Sequence, residues 1–232
     1  MRGTALERLR DLYLRNEKLW LSLAGLAEYV FGYFGANAFT VGRHATALDT
    51  AFDRAIPFVV PWVFVYSLAY PLCFTPALFV REPRRCRTVF LAFTLAMAMG
   101  VGTFVAYPVT MPRPPVPQGA TGSWLLALTW SIDKPYNCFP SLHVALDWLA
   151  ALTIYPSNAA AGIGVGIIAF LISVSTMFVK QHYALDVLAG FIVAVLAVRL
   201  AEIPAMRSLV SGDAYGGLDD GREAQTLPAL DE

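Results

Sequence analysis

Two short stretches of this chain place histidines beside acids and cations in otherwise apolar surroundings. In KQHYALD, residues 180–186, His182 precedes Asp186 by four positions, so the two side chains share one face of a helix. A carboxylate beside an imidazole fixes its tautomer and favours its charged form, which makes the histidine a competent nucleophile or base. Lys180 adds a positive charge. This stretch therefore predicts acid–base or nucleophilic chemistry.

The stretch DKPYNCFPSLHVALD, residues 133–147, carries a second histidine, His143. Pro140 and Ser141 before it predict a helix start with Ser141 as the N-cap, and free backbone N–H groups at such an end attract anions. Arg113, between prolines in YPVTMPRPP, offers a forked donor that matches phosphate oxygens. These features together predict a phosphate site with acid–base groups: two histidines, an acid, a helix start and cations.

Further polar residues near His143 are candidates for supporting roles. Asp147 follows His143 by four positions and repeats the spacing of the first histidine–aspartate pair, so we hypothesise that it favours the protonated form of His143. Asn137 and Lys134 precede His143 in the same stretch and are candidates to support the site. No metal or other cofactor is expected, because two histidines are not set at ligand spacing with third and fourth partners.

The segments that must position these residues are strongly apolar. Hydrophobic residues make up 57% of the 232 positions and charged residues 15%. No Asp, Glu, Lys or Arg occurs in residues 55–80, 88–112 or 148–179, and apolar runs of about twenty residues indicate transmembrane helices. The sequence therefore predicts an all-α polytopic membrane protein, and its net charge of zero indicates no nucleic-acid partner.

We predict six transmembrane helices, with bounds at residues 19–39, 57–80, 88–109, 141–155, 161–180 and 183–204. The second contains Pro61, Pro71 and Pro76 in its interior and is expected to be kinked or broken. The fourth is short, about 22 Å of helix at the usual rise, whereas the hydrocarbon core is about 30 Å thick. We therefore expect an interfacial helix or re-entrant loop at residues 122–133, just before the fourth helix.

The distribution of positive charge predicts how these helices are oriented. Twelve of the 17 Lys and Arg residues fall in the N-terminal head, the 81–87 loop and the C-terminal tail, which places both termini in the cytoplasm. The chemistry-bearing stretches then face the periplasmic or extracellular side of the cell membrane. We predict a cytoplasmic head at 1–18, a transmembrane catalytic domain at 19–204 and a disordered cytoplasmic tail at 205–232.

The two histidine stretches also resemble known signatures. PSLH at 140–143 and HYALD at 182–186 resemble the second and third signatures of the type 2 phosphatidic acid phosphatase superfamily, and RP at 113–114 resembles the end of the first. This resemblance implies that His182 attacks phosphorus and becomes phosphohistidine, with Asp186 orienting it. It implies that His143 protonates the leaving oxygen and then activates the acceptor. Arg113, Lys180 and the helix start at Ser141 would hold the phosphoryl oxygens.

The signatures also depart from the superfamily pattern at two cationic positions. Ala106 stands where the first signature has a lysine, and Thr176 stands where the third has an arginine. Such departures resemble the branch with sphingomyelin synthase and inositol phosphorylceramide synthase, which transfers a phospho-headgroup to an alcohol. The resemblance thus implies a metal-independent lipid phosphate phosphatase or, alternatively, a lipid phosphotransferase.

The remaining alternative is a non-catalytic lipid-binding or transport bundle whose polar groups line a path. In each case the expected partners are membrane lipids, among them a phospholipid or another lipid phosphate substrate. No oligomeric state is predicted.

Overall fold

The computed structural model describes residues 16–210, and over this range the protein is helical, with no β-strand. Two isolated bridges, Thr46 with Val109 and Val109 with Asn137, join loops at one end of the molecule. The predicted all-α class is confirmed for these residues. Most of the predicted head, residues 1–15, and most of the predicted tail, residues 211–232, lie outside the described part of the chain.

The helices vary widely in length. In chain order they are α1 (Glu17–Glu28), α2 (Phe34–Thr40), α3 (Ala51–Ala55), α4 (Val63–Tyr66), α5 (Ala69–Leu72), α6 (Pro76–Phe79), α7 (Pro83–Ala106), α8 (Ser123–Ile132), α9 (Leu142–Ile154), α10 (Ala159–Phe178), α11 (Ala184–Glu202) and α12 (Pro204–Ser208). A π-helical turn, Tyr29–Tyr33, joins α1 to α2, and a 3-10 turn, Val60–Trp62, precedes α4.

Three of these helices are long and apolar enough to cross a membrane: α7, α10 and α11. Shorter apolar helical segments lie at Val60–Leu72, Ser123–Ile132 and Leu142–Ile154. The three long helices indicate that the protein is associated with a membrane. In the second predicted span, Pro61, Pro71 and Pro76 interrupt the helix, because proline lacks a backbone N–H and clashes with the preceding turn.

Helix α9 occupies the centre of the bundle. Eleven of its thirteen residues are buried, and it packs against α7, α10 and α11. Apolar residues occur all around the circumference of α9, which is the pattern of a buried helix, and the polar His143 and Asp147 are buried among them. Its N-terminal turn fits between α7 and α11 through two glycines. A Cβ at Gly100 would overlap the side chain of Leu142, and a Cβ at Gly190 would overlap the carbonyl oxygen of Ser141.

The loops that carry the signature residues meet at one end of the bundle. Backbone hydrogen bonds join Cys138 N to Val109 O at 3.3 Å and Ser141 N to Asp186 O at 3.0 Å. At the opposite end, Lys18 donates to the carbonyl of Val80 at 2.8 Å. The structure therefore brings the three signature stretches together at the end away from Lys18.

Candidate active site

His143 and His182 face each other at the end of the bundle where the signature loops meet, called the loop end below. His182 Nε2 lies 3.5 Å from His143 Nδ1, and both rings are buried. On its other side, His182 Nδ1 lies 2.9 Å from the carbonyl oxygen of Cys138. Because a carbonyl oxygen only accepts hydrogen bonds, Nδ1 of His182 carries a proton. In the neutral ring, Nε2 of His182 therefore presents its lone pair towards His143.

Asp186 is placed beside His182 by the start of helix α11. Its Oδ2 accepts a hydrogen bond from the backbone N–H of Tyr183 at 2.8 Å and lies 3.5 Å from His182 Nδ1. Tyr183 is the N-cap of α11 and Asp186 is the third helical residue, the position where an acidic side chain reaches back to the cap. The four-residue spacing predicted from sequence thus places the carboxylate at the imidazole through local helix geometry.

Ser141 begins helix α9 as the sequence predicts. Its hydroxyl oxygen accepts a hydrogen bond from Val144 N at 3.3 Å, and its own backbone N–H donates to the carbonyl of Asp186. The hydroxyl is buried and acts as a helix cap, so the free N–H groups of the first turn, rather than the side chain, are the groups suited to an anion.

Arg113 reaches across from the first signature stretch. Its Nη1 donates to the carbonyl oxygens of Asp133 at 2.7 Å and Trp130 at 3.4 Å, and its Nη2 donates to Oε1 of Gln181. The guanidinium also lies over the Trp130 ring, 5.2 Å from its centroid. Among the hydrogen bonds of residues 16–210, none uses the buried Nε–H of Arg113, so this donor remains for a ligand oxygen.

A protein-family model matches most of the chain. The sequence model of the PAP2 superfamily matches residues 37–200, which is well over half of the chain. The chain belongs to the PAP2 superfamily. Membership supports lipid phosphate chemistry of the phosphatase or phosphotransferase type. Neither the curated proteins nor the solved structures gave a significant match.

The ammonium of Lys180, the second predicted phosphate-binding cation, contacts a neighbouring loop. The ammonium of Lys180 donates to the carbonyl oxygens of Ile56 at 2.6 Å and Asp53 at 3.3 Å. Burial lowers the pKa of Lys180, whereas the charges of Asp53 and Asp49 raise it. The Lys180 side chain thus joins the α10–α11 turn to the 49–56 loop, and these contacts favour a structural role for it over phosphate binding.

Thr176 occupies the signature position where the sequence lacks an arginine. Its carbonyl oxygen accepts hydrogen bonds from the backbone N–H groups of Gln181 at 2.9 Å and His182 at 3.3 Å. Its hydroxyl donates to the carbonyl of Ser173 at 2.8 Å. Thr176 therefore shapes the turn that presents His182, and it brings no positive charge to the site.

The three candidate supporting residues differ in their placement. Asn137 is buried and makes two hydrogen bonds through its side chain. Its Oδ1 accepts from the hydroxyl of Thr40 at 3.1 Å, and its Nδ2 donates to the carbonyl of Tyr33 at 3.1 Å. The side chain of Lys134 is exposed, and its carbonyl accepts from Asn37 at 2.8 Å. Asn137 thus fastens the loop before His143 to helix α2.

Asp147 lies one turn below His143 and is fully buried. Within residues 16–210, neither of its carboxylate oxygens has a hydrogen-bond partner. Both ring nitrogens of His143 are occupied by other groups: Nδ1 faces His182, and Nε2 lies 3.0 Å from the hydroxyl of Tyr66. The four-residue spacing therefore does not produce a hydrogen bond between Asp147 and the imidazole, because both ring nitrogens face other residues.

Three tyrosine rings surround His143, and the sequence reasoning missed them. The ring centroids of Tyr33, Tyr66 and Tyr70 lie 5.8, 5.1 and 5.7 Å from that of His143. Two of these residues, Tyr66 and Tyr70, are four positions apart in an apolar segment, a spacing that predicts one shared helical face. That pattern was a usable signal, because a tyrosine buried in a membrane bundle needs a partner for its hydroxyl.

Asp133 is a fourth residue that the sequence reasoning missed. It is buried, and its Oδ1 accepts a hydrogen bond from the hydroxyl of Tyr33 at 2.9 Å. Burial raises the pKa of the Asp133 carboxyl, while the charge of Arg113, the Tyr33 hydrogen bond and the charge of His182 oppose that rise. The carbonyl of Asp133 also accepts a hydrogen bond from Arg113, so this residue joins the end of helix α8 to Arg113 and Tyr33.

Proposed function

We propose that the chain is an integral membrane lipid phosphatase that hydrolyses an amphiphilic phosphate ester through a phosphohistidine at His182. The observation that carries the proposal is the imidazole pair, with His182 Nε2 only 3.5 Å from His143 Nδ1. The carbonyl of Cys138 keeps the His182 proton on Nδ1 and leaves Nε2 as the nucleophile. No metal is needed for such a transfer.

In the first step, His182 Nε2 forms a bond to phosphorus as the bond from phosphorus to the leaving oxygen breaks. The leaving oxygen takes a proton from His143, which acts as the general acid. In the second step, His143 removes a proton from water, whose oxygen attacks phosphorus, and the phosphorus–nitrogen bond breaks. Arg113 and the N–H groups that follow Ser141 stabilise the charge on the phosphoryl oxygens.

This chemistry is proposed to take place at the outer face of the cell membrane. The six spans would be α7, α9, α10, α11, the continuous helical run from Glu17 to Thr40, and the broken segment at 57–80. The excess of Lys and Arg at the Lys18 end supports cytoplasmic termini. The head at 1–18 and the tail at 205–232 would flank a catalytic domain at 19–204, with α8 at the interface.

A second candidate is a lipid phosphotransferase with an alcohol acceptor, and the distribution of cations favours it. Ala106 and Thr176 bring no charge to the two signature positions, and Lys180 is bound to backbone carbonyls. Arg113 is then the cation of the described residues that reaches the turn of His182. A single arginine is better matched to a monoanionic phosphodiester, the donor of such transferases, than to a dianionic phosphomonoester.

The products of the purified protein in lipid nanodiscs separate these candidates. The panel contains phosphatidic acid, phosphatidylglycerol phosphate, an isoprenyl diphosphate and a ceramide phosphate, and a labelled phosphodiester lipid offered with ceramide. Release of inorganic phosphate supports the phosphatase, and formation of a new phospholipid supports the transferase. His182→Ala should abolish either activity. Lipid binding or transport that survives in His182→Ala, with no turnover in the wild type, would instead support the non-catalytic bundle.

A further inference from the structure

Tyr66 holds the nitrogen of His143 that points away from His182. Its hydroxyl lies 3.0 Å from His143 Nε2, across 77 residues of sequence. The Tyr66 side chain is fully buried at the end of α4, inside the broken second segment. Since His143 Nδ1 faces His182, both nitrogens of the ring have a defined neighbour.

Gln181 fixes the orientation of the Tyr66 hydroxyl. A guanidinium has only donors, so the Gln181 atom that meets Arg113 must be the amide oxygen. The amide nitrogen of Gln181 then points to Tyr66 and donates to its hydroxyl oxygen at 3.2 Å. One lone pair of that oxygen is therefore occupied, and one lone pair and one hydrogen remain.

The protonation states of the proposed reaction decide how the remaining lone pair is used. A histidine that acts as a general acid must begin as imidazolium, with a proton on each nitrogen. The Nε2–H of that cation donates to Tyr66, whose own hydrogen points to the hydroxyl of Tyr70 at 3.5 Å. After Nδ1 gives its proton to the leaving oxygen, His143 is neutral and Nε2–H still donates to Tyr66.

We infer that Tyr66 is the positioning residue of the acid–base histidine. By accepting the Nε2–H hydrogen bond, it turns the ring so that Nδ1 faces His182 and remains the atom that gives and takes the proton in both steps. This inference rests on the proposed function. In proteins, a polar group that bonds to one histidine nitrogen commonly fixes the tautomer of the ring. Here that group is the Tyr66 hydroxyl, which Gln181 and Arg113 hold in place.

The other groups around His143 do not substitute for Tyr66. Tyr33 and Tyr70 meet the imidazole as rings, with interplanar angles of 75° and 86°, whereas the hydroxyl of Tyr33 bonds to Asp133. The ionisable groups that act on His143 from neighbouring elements are His182 and Arg113. On its own helix, Asp147 has no hydrogen bond within the described residues.

The test compares Tyr66→Phe with the wild type and with Tyr155→Phe, an exposed tyrosine at the other end of α9. Two esters of the donor type that the wild type accepts are used, one with a dodecyl and one with a p-nitrophenyl leaving group. With the dodecyl ester, kcat of Tyr66→Phe should fall about 10- to 100-fold, because the acid is misaligned, while KM changes less than about twofold.

The p-nitrophenyl ester distinguishes positioning from general damage to the site. Its leaving group departs without a proton, so Tyr66→Phe should release one equivalent of p-nitrophenol at the wild-type burst rate. Steady-state turnover should then be slow, because the second step still needs His143 as a base. With the dodecyl ester, the alkaline limb of the pH–rate profile should move to lower pH, since the imidazolium loses its Nε2–H acceptor.

Gln181→Met provides a second variant that keeps Tyr66 in place. Removing the amide donor should lower kcat for the dodecyl ester by about 3- to 10-fold, the range expected for one hydrogen bond. The inference is overturned if Tyr66→Phe behaves like Tyr155→Phe on the dodecyl ester. It is also overturned if Tyr66→Phe slows the p-nitrophenol burst as much as the dodecyl reaction.

Failure of this inference can be told from failure of the proposed function. If the wild type turns over no donor, or His182→Ala is as active as the wild type, the phosphohistidine mechanism itself fails. If the wild type is active, His182→Ala is inactive and Tyr66→Phe matches Tyr155→Phe, only the assignment of Tyr66 fails.

Discussion

The proton on each imidazole nitrogen determines what the histidine pair can do. His182 Nδ1 is 2.9 Å from the Cys138 carbonyl but 3.5 Å from Asp186, so the carbonyl is its main hydrogen-bond partner. In the proposed mechanism, the negative charge of Asp186 beside the ring stabilises the imidazole as it becomes positively charged on attacking phosphorus. Orientation by the carbonyl and stabilisation by the carboxylate are therefore separate functions at His182.

The variant Asp186→Asn tests this division at the residue scale. The asparagine can still accept the Tyr183 N–H bond but lacks the negative charge, so kcat should fall about 10- to 100-fold with a smaller change in KM. Steady-state kinetics in nanodiscs measure the effect. Asp49→Asn, at an exposed aspartate, is the matched control and should match the wild type. An Asp186→Asn variant with unchanged kcat would show that the carbonyl alone suffices.

Sequence reasoning predicted the residues whose placement depends on local geometry. The histidine–aspartate spacing and the cap at Ser141 act within one helical turn, so a short stretch contains the information. The contacts of Tyr66 with His143 and of Tyr33 with Asp133 span 77 and 100 residues and arise only when distant helices pack. The contacts of Lys180 are long-range too, because its ammonium bonds to the carbonyls of Asp53 and Ile56, and its role in phosphate binding stays a prediction.

At the scale of the elements, the close fit of α9 between its neighbours positions His143. The first turn of α9 lies against α11 at Gly190, where Ser141 N donates to Asp186 O. This contact joins α9, which carries His143, to α11, which follows His182. The separation of the two imidazoles thus depends on how closely two backbones approach.

Gly190→Ala tests the importance of this approach. The added methyl group would overlap the Ser141 carbonyl, so α9 and α11 must separate, and overpacking of this kind costs about 1–3 kcal/mol. We expect a lower thermal unfolding midpoint in detergent and a loss of turnover. Gly164→Ala, on α10 with no neighbour within 4 Å, is the control and should keep both properties. Equal midpoints for the two variants would contradict the tight fit.

A pH titration tests the link between the 49–56 loop and the start of α11. Asp53 accepts the Ala184 N–H at 2.8 Å and caps α3 through Thr50. Burial alone would raise the Asp53 pKa, but hydrogen bonds from Thr50 and Ala184 and the charge of Lys180 hold it below its ordinary value. Because the Asp53 pKa is lower in the folded state than in the unfolded state, the ionised carboxylate stabilises the fold at pH values above the unfolded-state pKa. That stability is lost as the pH falls and the folded-state carboxylate becomes protonated.

The unfolding midpoint of the wild type should therefore fall as the pH drops below about 4, the pKa of an unfolded-state aspartate. Asp53→Asn should lower the midpoint at neutral pH and flatten this acid dependence, as measured by thermal unfolding in detergent across a pH series. Asp49→Asn again serves as the control. A steep acid dependence that persists unchanged in Asp53→Asn would show that other carboxylates determine it.

For the whole molecule, the site needs helices from both halves of the chain. The signatures begin at residue 106, yet two of the rings around His143 come from the broken second segment. A third ring, that of Tyr33, precedes the residues that match the PAP2 superfamily. Hydropathy was sufficient to predict an all-α membrane protein. The number of spans is harder to predict, because buried α9 and the proline-broken segment depend on protein packing rather than on length alone.

Sidedness is a prediction for the whole molecule. The variant Lys134→Cys is made in a Cys86→Ser background. Its new thiol should react with a membrane-impermeant reagent in intact cells, because Lys134 is exposed at the loop end. A cysteine at position 84, exposed at the opposite end, should react only after the cells are opened. The reverse pattern would place the histidine pair on the cytoplasmic side.

The central claim is that His143 and His182 act on one phosphoryl group that becomes covalently attached to His182. The most direct measurement is to quench the protein during turnover of a phosphorus-labelled substrate and map the modified residue by peptide mass spectrometry. The account predicts an acid-labile, alkali-stable phosphate on His182, lost in His182→Ala together with turnover. Label on another residue, or full turnover without His182, would contradict it.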